Sequence, residues 1–169
     1  MAAPTPLEAY VRLSAWLARN GWPVHAVNTP LMYDAYGLTD FGAHDVYLVQ
    51  RLDRRQQAET LIHEAGHVLL HWHLAAEGLS REEGTVEAIA VVLTWEQWGW
   101  YERHPLADRR VAPVLESQWS ATTREAYRAL KDVAEGRRPP PGSARLFLAT
   151  EQWIQQQWRQ RAEATATVP

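Results

Sequence analysis

The stretch Leu61-Ile62-His63-Glu64-Ala65-Gly66-His67-Val68-Leu69-Leu70-His71 decides how the rest of the chain is read. Leu61, Ile62, Ala65, Val68, Leu69 and the following Trp72 recur at helical spacing, so the residues from Arg54 onward predict a helix with a broad apolar stripe. Residues four apart on a helix are separated by about 6 Å along the axis and about 40° around it. The imidazoles of His63 and His67 can therefore converge on one metal ion. Glu64 lies about 100° around from His63, where it borders a metal-bound water without displacing a ring as ligand. It is the expected catalytic general base: it takes a proton from a water activated by zinc as that water attacks a peptide carbonyl, then returns the proton to the leaving amine. The competing interpretation is a chance match on a solvent-facing helix. The flanking Ile62, Val68 and Leu69 argue against it, because polar groups on a core-packing helix need compensating partners.

A catalytic zinc commonly takes three protein ligands and keeps one position open, so two histidines leave a ligand to be found. His73 stands at the separation of the HExxHxxGxxH arrangement, but Leu70 occupies the place of its turn-forming glycine. On an unbroken helix His73 is carried about 15 Å from His63. His71 shares the histidine face but lies a turn beyond His67, which suits a supporting or structural role. Glu87 is the favoured third ligand. It is the ionisable residue of Thr85-Val86-Glu87-Ala88-Ile89-Ala90-Val91-Val92-Leu93, and a lone carboxylate in so apolar a helix is costly without a compensating ion or donor. Ala65, Gly66, Ala88 and Ala90 are small enough for the two helices to approach closely. Glu77, Glu82, Glu83 and Glu96 compete, but sit near helix ends where solvation is easier.

Outward from this core, Leu7 to Asn20 is an amphipathic helix stopped by Asn20-Gly21 and Pro23, and Pro23 to Asn28 suits a short strand. Residues 28 to 43 look irregular, with Pro30, Gly37 and Gly42, whereas His44 to Leu52 is a β-prone run. After the metal-binding helix, Gly78 and the capping-box pair Ser80 and Glu83 start a second long helix from about Arg81 to about Trp98. Ala121 to Ala134 and Ser143 to Ala162 are further helices, the first ended by Gly136 and the two joined by the stiff connector Arg137-Arg138-Pro139-Pro140-Pro141-Gly142. The expected fold class is α+β: a mainly helical single domain with a small β-sheet packed beside the HExxH helix. Residues 1–138 form the metallopeptidase-like domain, and 139–169 a connector and C-terminal helix packed on it.

Composition is compatible with this reading. A chain of 169 residues has room for one core. A formal charge of −3 gives no broad attraction to nucleic acid or to anionic membranes, so neither is the expected primary partner. Cysteine is absent, which leaves His, Asp and Glu to hold any metal. Glu8, Arg12 and Arg19 interrupt the first apolar segment, which does not read as a targeting peptide, and no apolar run approaches the roughly 20 residues of a membrane span. A cytoplasmic protein is expected.

The segment from Asp45 to Leu93 resembles the ImmA/IrrE metallopeptidase family. In that family a β-strand, a connector rich in Arg and Gln, an HExxH helix ending in Leu-Leu-His and a second helix bearing a Glu ligand follow in order. Asp45 to Gln50 is similar to the strand, and Arg54-Arg55-Gln56-Gln57 to the connector. The resemblance implies a bacterial or phage zinc peptidase whose protein substrate is a transcriptional repressor or an antitoxin-like partner. Family members often carry Glu-Ala-Asn where this chain has Glu87-Ala88-Ile89, which takes away an Asn beside the metal without removing the Glu.

Other readings compete. One is a DNA-binding regulator: Arg103 to Arg110 is locally basic and Thr122 to Ala134 suits one helix of a helix-turn-helix, but Glu125, Asp132 and Glu135 offset that helix's charge. A third reading is an interaction protein with a structural or vestigial metal site. Tyr101 and His104 are candidate oxyanion donors for a peptidase, although a structural role suits either. Tyr47 is placed on a strand before the metal-binding helix, where an edge strand can pair with an extended peptide. The nine tryptophans are read mainly as packing residues.

Overall fold

Thr5 and Glu8 exchange hydrogen bonds in a capping box that starts α1 (Pro6–Arg19), with Pro6 in the first turn, where its missing N–H costs nothing. The computed structural model describes residues 3–31, 35–101 and 114–166. Asn20 ends α1, and Gly21, with φ at +87°, turns the chain into the buried Trp22. Three short strands follow: β1 (Val24–Val27), β2 (Gly37–Asp40) and β3 (Asp45–Val49). β3 lies in the middle, parallel to β1 with Val24 opposite Val46, and antiparallel to β2 with Gly37 opposite Leu48. Val46, Leu48 and Val49 of β3 are buried, as a central strand requires.

Asp53 and Gln56 form a second capping box, which opens α2 (Arg54–Leu74). α2 is the axis of the molecule, packing against α1, α3 (Leu79–Val91), α4 (Ala121–Ala134), α5 (Ala144–Ala166) and the sheet. Its residues Leu61, Ile62, Ala65, Val68, Leu69 and Leu70 are inaccessible to solvent. The mainly helical α+β architecture, with its small sheet beside the HExxH helix, is therefore as the sequence predicts. No described helix is long and apolar enough to cross a membrane.

The structure differs from the sequence-based reading in three places. β2 forms within the segment expected to be irregular, because Gly37-Leu38-Thr39-Asp40 acquires strand geometry by pairing with β3 and not from its own composition. Tyr47 consequently sits on the central strand, and β2 is an edge. The second helix begins at Leu79 after Gly78, whose φ of +98° suits glycine, and has no side-chain cap. Ser80 and Glu83 do not form the expected capping box; both lie inside the helix. Beyond Val91 the helix widens into a π-helical turn, Val92–Gln97, so it runs to about the expected length.

Glycine sets two approaches to α2. A methyl group on Gly66 would stand 2.8 Å from Val86 Cγ1, so α3 crosses α2 in contact with its backbone. A methyl group on Gly37 would stand 2.7 Å from Thr60 Cγ2 and 2.8 Å from Glu64 Cγ, so β2 is laid directly against the second residue of the motif.

Candidate metal centre

His63 and His67 leave α2 one turn apart and turn their Nε2 atoms together, 3.3 Å from each other. Opposite them, α3 presents the Glu83 carboxylate, with one oxygen 2.9 Å from His63 Nε2 and the other 2.9 Å from His67 Nε2. One ligand atom from each of the three lies within 4.8 Å of the others. A tetrahedral zinc site with bonds of about 2.0–2.1 Å has donor–donor edges of about 3.3–3.4 Å. The 3.3 Å between the two ring nitrogens matches such an edge, and each Glu83 oxygen stands somewhat closer, 2.9 Å, to one of them.

The expected third ligand, Glu87, is placed elsewhere. It lies one turn further along α3, where its Oε1 is 3.6 Å from His63 Nδ1, the ring nitrogen turned away from the cluster. At that separation the contact is electrostatic rather than a hydrogen bond. Glu82 occupies the corresponding place on the other ring, 2.5 Å from His67 Nδ1, and also meets His71 Nδ1 at 2.7 Å. Each imidazole thus faces Glu83 with one nitrogen and a further carboxylate with the other. A carboxylate behind a metal-binding histidine fixes its tautomer and ring orientation and raises its basicity.

Glu64 is buried, at 6% exposure, and its Oε1 accepts a hydrogen bond of 3.0 Å from Thr39 on β2. Its other oxygen is 3.9 Å from His63 Nε2. The strand that the sequence did not reveal therefore holds the residue expected to act as base. His73 is directed elsewhere, with its Nε2 2.9 Å from Ser120 Oγ, in keeping with its unbroken helix. Tyr101 donates to Glu59, a turn before His63, and burial lifts its hydroxyl pKa to about 12. His104 and the basic stretch Arg103 to Arg110 lie outside the described residues.

The electrostatics follow from this crowding. Burial disfavours a charged His63, but its contacts with Glu83, Glu87 and Glu64 outweigh that and raise its pKa to about 10. His67 is likewise raised, to about 9, because Glu82, Glu83 and Glu64 outweigh burial and the repulsion from His63. Burial pushes Glu82 upward, but hydrogen bonds from His67 and His71 bring it down to about 2, and Glu83 is lowered well below the usual range by His63 and His67 in the same way. These shifts favour the protonated form of both rings, in which each ring nitrogen turns an N–H toward a carboxylate.

Glu82 and Glu83 were both legible as carboxylates near the start of α3, and that position hid them. Glu83 also fits a capping-box pattern with Ser80, which supplied a competing use for its side chain. The signal available in the sequence was spacing: Glu83 and Glu87 are four apart, so one helix face offers both.

Compared with known protein families, curated proteins and solved structures, the chain matches none.

Proposed function

We propose that the chain is a zinc-dependent endopeptidase, with His63, His67 and Glu83 as the metal ligands and Glu64 as the general base. The observation that carries this reading is the Glu83 carboxylate spanning both Nε2 atoms at 2.9 Å, next to a buried Glu64. The donor set fits zinc: two imidazoles and a carboxylate, no thiolate, and one position left for water. Other first-row divalent ions suit the same donors, and zinc is named because its peptidases use this set.

A divalent cation held there supplies Lewis acidity toward a water and toward the oxygen of a peptide carbonyl. The chain's own residues do the rest. Thr39 engages Glu64 Oε1, so Oε2, on the side facing His63, is the oxygen that takes the proton from the attacking water and passes it to the leaving amine. Glu82 and Glu87 hold the two rings from behind. Glu87 thereby exchanges its expected role as ligand for one as a ring partner.

The substrate in this reading is a protein, a transcriptional repressor or an antitoxin-like partner in keeping with the resemblance to the ImmA/IrrE family, and the reaction takes place in the cytoplasm. The test is cleavage of a panel of repressors encoded near the gene, with and without a chelator. Glu64→Gln should retain zinc and lose about 10²- to 10⁴-fold in cleavage rate. A native protein whose cleavage persists unchanged after the metal is stripped, or after Glu64→Gln, would refute the proposal.

A further inference from the structure

Behind the metal ligands, a second row of side chains links His67 to two distant parts of the fold. Glu82 is 2% exposed and spends one oxygen on His67 Nδ1 at 2.5 Å and the other on His71 Nδ1 at 2.7 Å. His71 is itself clamped. Phe41, in the turn between β2 and β3, stacks on its ring with centroids 4.5 Å apart and planes 26° from parallel. Trp153 of α5 meets the same ring edge-on, also at 4.5 Å and at 86°. Phe41 and Trp153 touch as well, at 6.3 Å. A buried carboxylate is costly unless its oxygens are satisfied, and here two imidazoles from one helix face satisfy it.

We propose that Glu82 and His71 are positioning residues of the metal centre: Glu82 fixes the His67 ring so that Nε2 faces the ion, and His71, gripped by Phe41 and Trp153, fixes Glu82. The inference rests on the proposed metal site and deepens it, because it makes one ligand's orientation depend on the β2–β3 turn and on α5. His67 has only rotations about its own two side-chain bonds with which to aim Nε2. A partner on Nδ1 removes that freedom only if the partner is itself fixed. Glu82 reaches the cluster from the first turn of α3, where its carboxylate would otherwise turn outward to water. The hydrogen bond from His71 keeps it inward, and the two aromatic rings hold the plane of the His71 imidazole while Nδ1 faces Glu82.

The test is Co²⁺ binding by the full chain, read as a dissociation constant and as the visible absorption that reports ligand number and geometry. Thermal unfolding of each metal-free variant is followed alongside. Glu82→Gln should weaken binding by about 10- to 100-fold, the usual range for loss of such a partner. His71→Phe keeps a ring between Phe41 and Trp153 but removes the donor; it should weaken binding by about tenfold and alter the spectrum. His71→Asn restores a nitrogen donor near the Nδ1 position without the ring that Phe41 and Trp153 hold, so it should recover only part of that loss. Equal affinity in the native chain, Glu82→Gln and His71→Phe would overturn this inference alone. A native chain that takes up no Co²⁺ or Zn²⁺ would overturn the metal site and this inference together.

Discussion

Two imidazoles meet four carboxylates, Glu64, Glu82, Glu83 and Glu87, in a space that is largely closed to solvent. Such an accumulation of negative charge calls for positive charge. The metal-free chain supplies it by protonating His63 and His67, whose pKa values stand at about 10 and about 9. A divalent ion must displace those protons, so affinity should rise with pH until the rings have lost them, and close to two protons should be released per ion at pH 7. Calorimetric titration in buffers of different ionisation enthalpy measures that number, and binding without proton release would contradict the assignment. The same shifts bear on the stability of the metal-free chain. Because the folded pKa values lie above the unfolded value near 6.5, the ring–carboxylate contacts contribute fully below that pH and are lost as pH rises through about 9 to 10. Metal-free protein should therefore unfold more readily at pH 10 than at pH 6.

At the scale of elements, the site is made by close crossings. Gly66 lets α3 press Val86 against the backbone of α2, which brings the first turns of α3 within reach of the histidines. Gly66→Ala gains about 1 kcal/mol of helix propensity but forces a methyl group into Val86, an overpacking that costs about 1–3 kcal/mol. Net destabilisation is expected, together with weaker metal binding as α3 is pushed away. Val86→Ala in the same chain should relieve it, giving a double variant more stable than the sum of the single effects, and additive unfolding energies would contradict the crossing. Much at this scale was legible beforehand. Helical spacing located α1, α2 and α4, and the i, i+4 histidines located the face on which the His63–His67–Glu83 cluster forms. β2 was not legible, because four residues including Gly37 and Asp40 carry no strand pattern and take their form from β3. Nor was the meeting of Glu83 with the two histidines: choosing among carboxylates on one helix requires its rotation and depth against α2, and neither is encoded locally.

Across the whole molecule, the site depends on segments far apart in sequence. Thr150 of α5 donates to the Val68 carbonyl of α2, Ile154 is 2% exposed in the shared core, and Trp153 closes on His71. Beyond Ile154 the described residues of α5 are exposed, apart from a half-buried Gln157. Ile154→Ala should cost about 2–5 kcal/mol in denaturant unfolding. Trimming the chain after Gln157 should cost far less, because the described residues that are removed, 158–166, are exposed. The reverse order would mean that the exposed end of α5 carries the attachment. The tryptophans follow the same division. Trp16, Trp22, Trp98 and Trp119 are buried in the core, as expected for packing residues, while Trp158 is 53% exposed near the end of α5.

The measurement that bears most directly on the central claim is zinc stoichiometry and affinity in the native chain, Glu83→Ala and Glu87→Ala, with folding checked by circular dichroism. The geometry predicts about one zinc per native chain, loss of that zinc in Glu83→Ala, and retention in Glu87→Ala with affinity lowered by about 10- to 100-fold. A native chain without zinc, or zinc kept by Glu83→Ala and lost by Glu87→Ala, would contradict it.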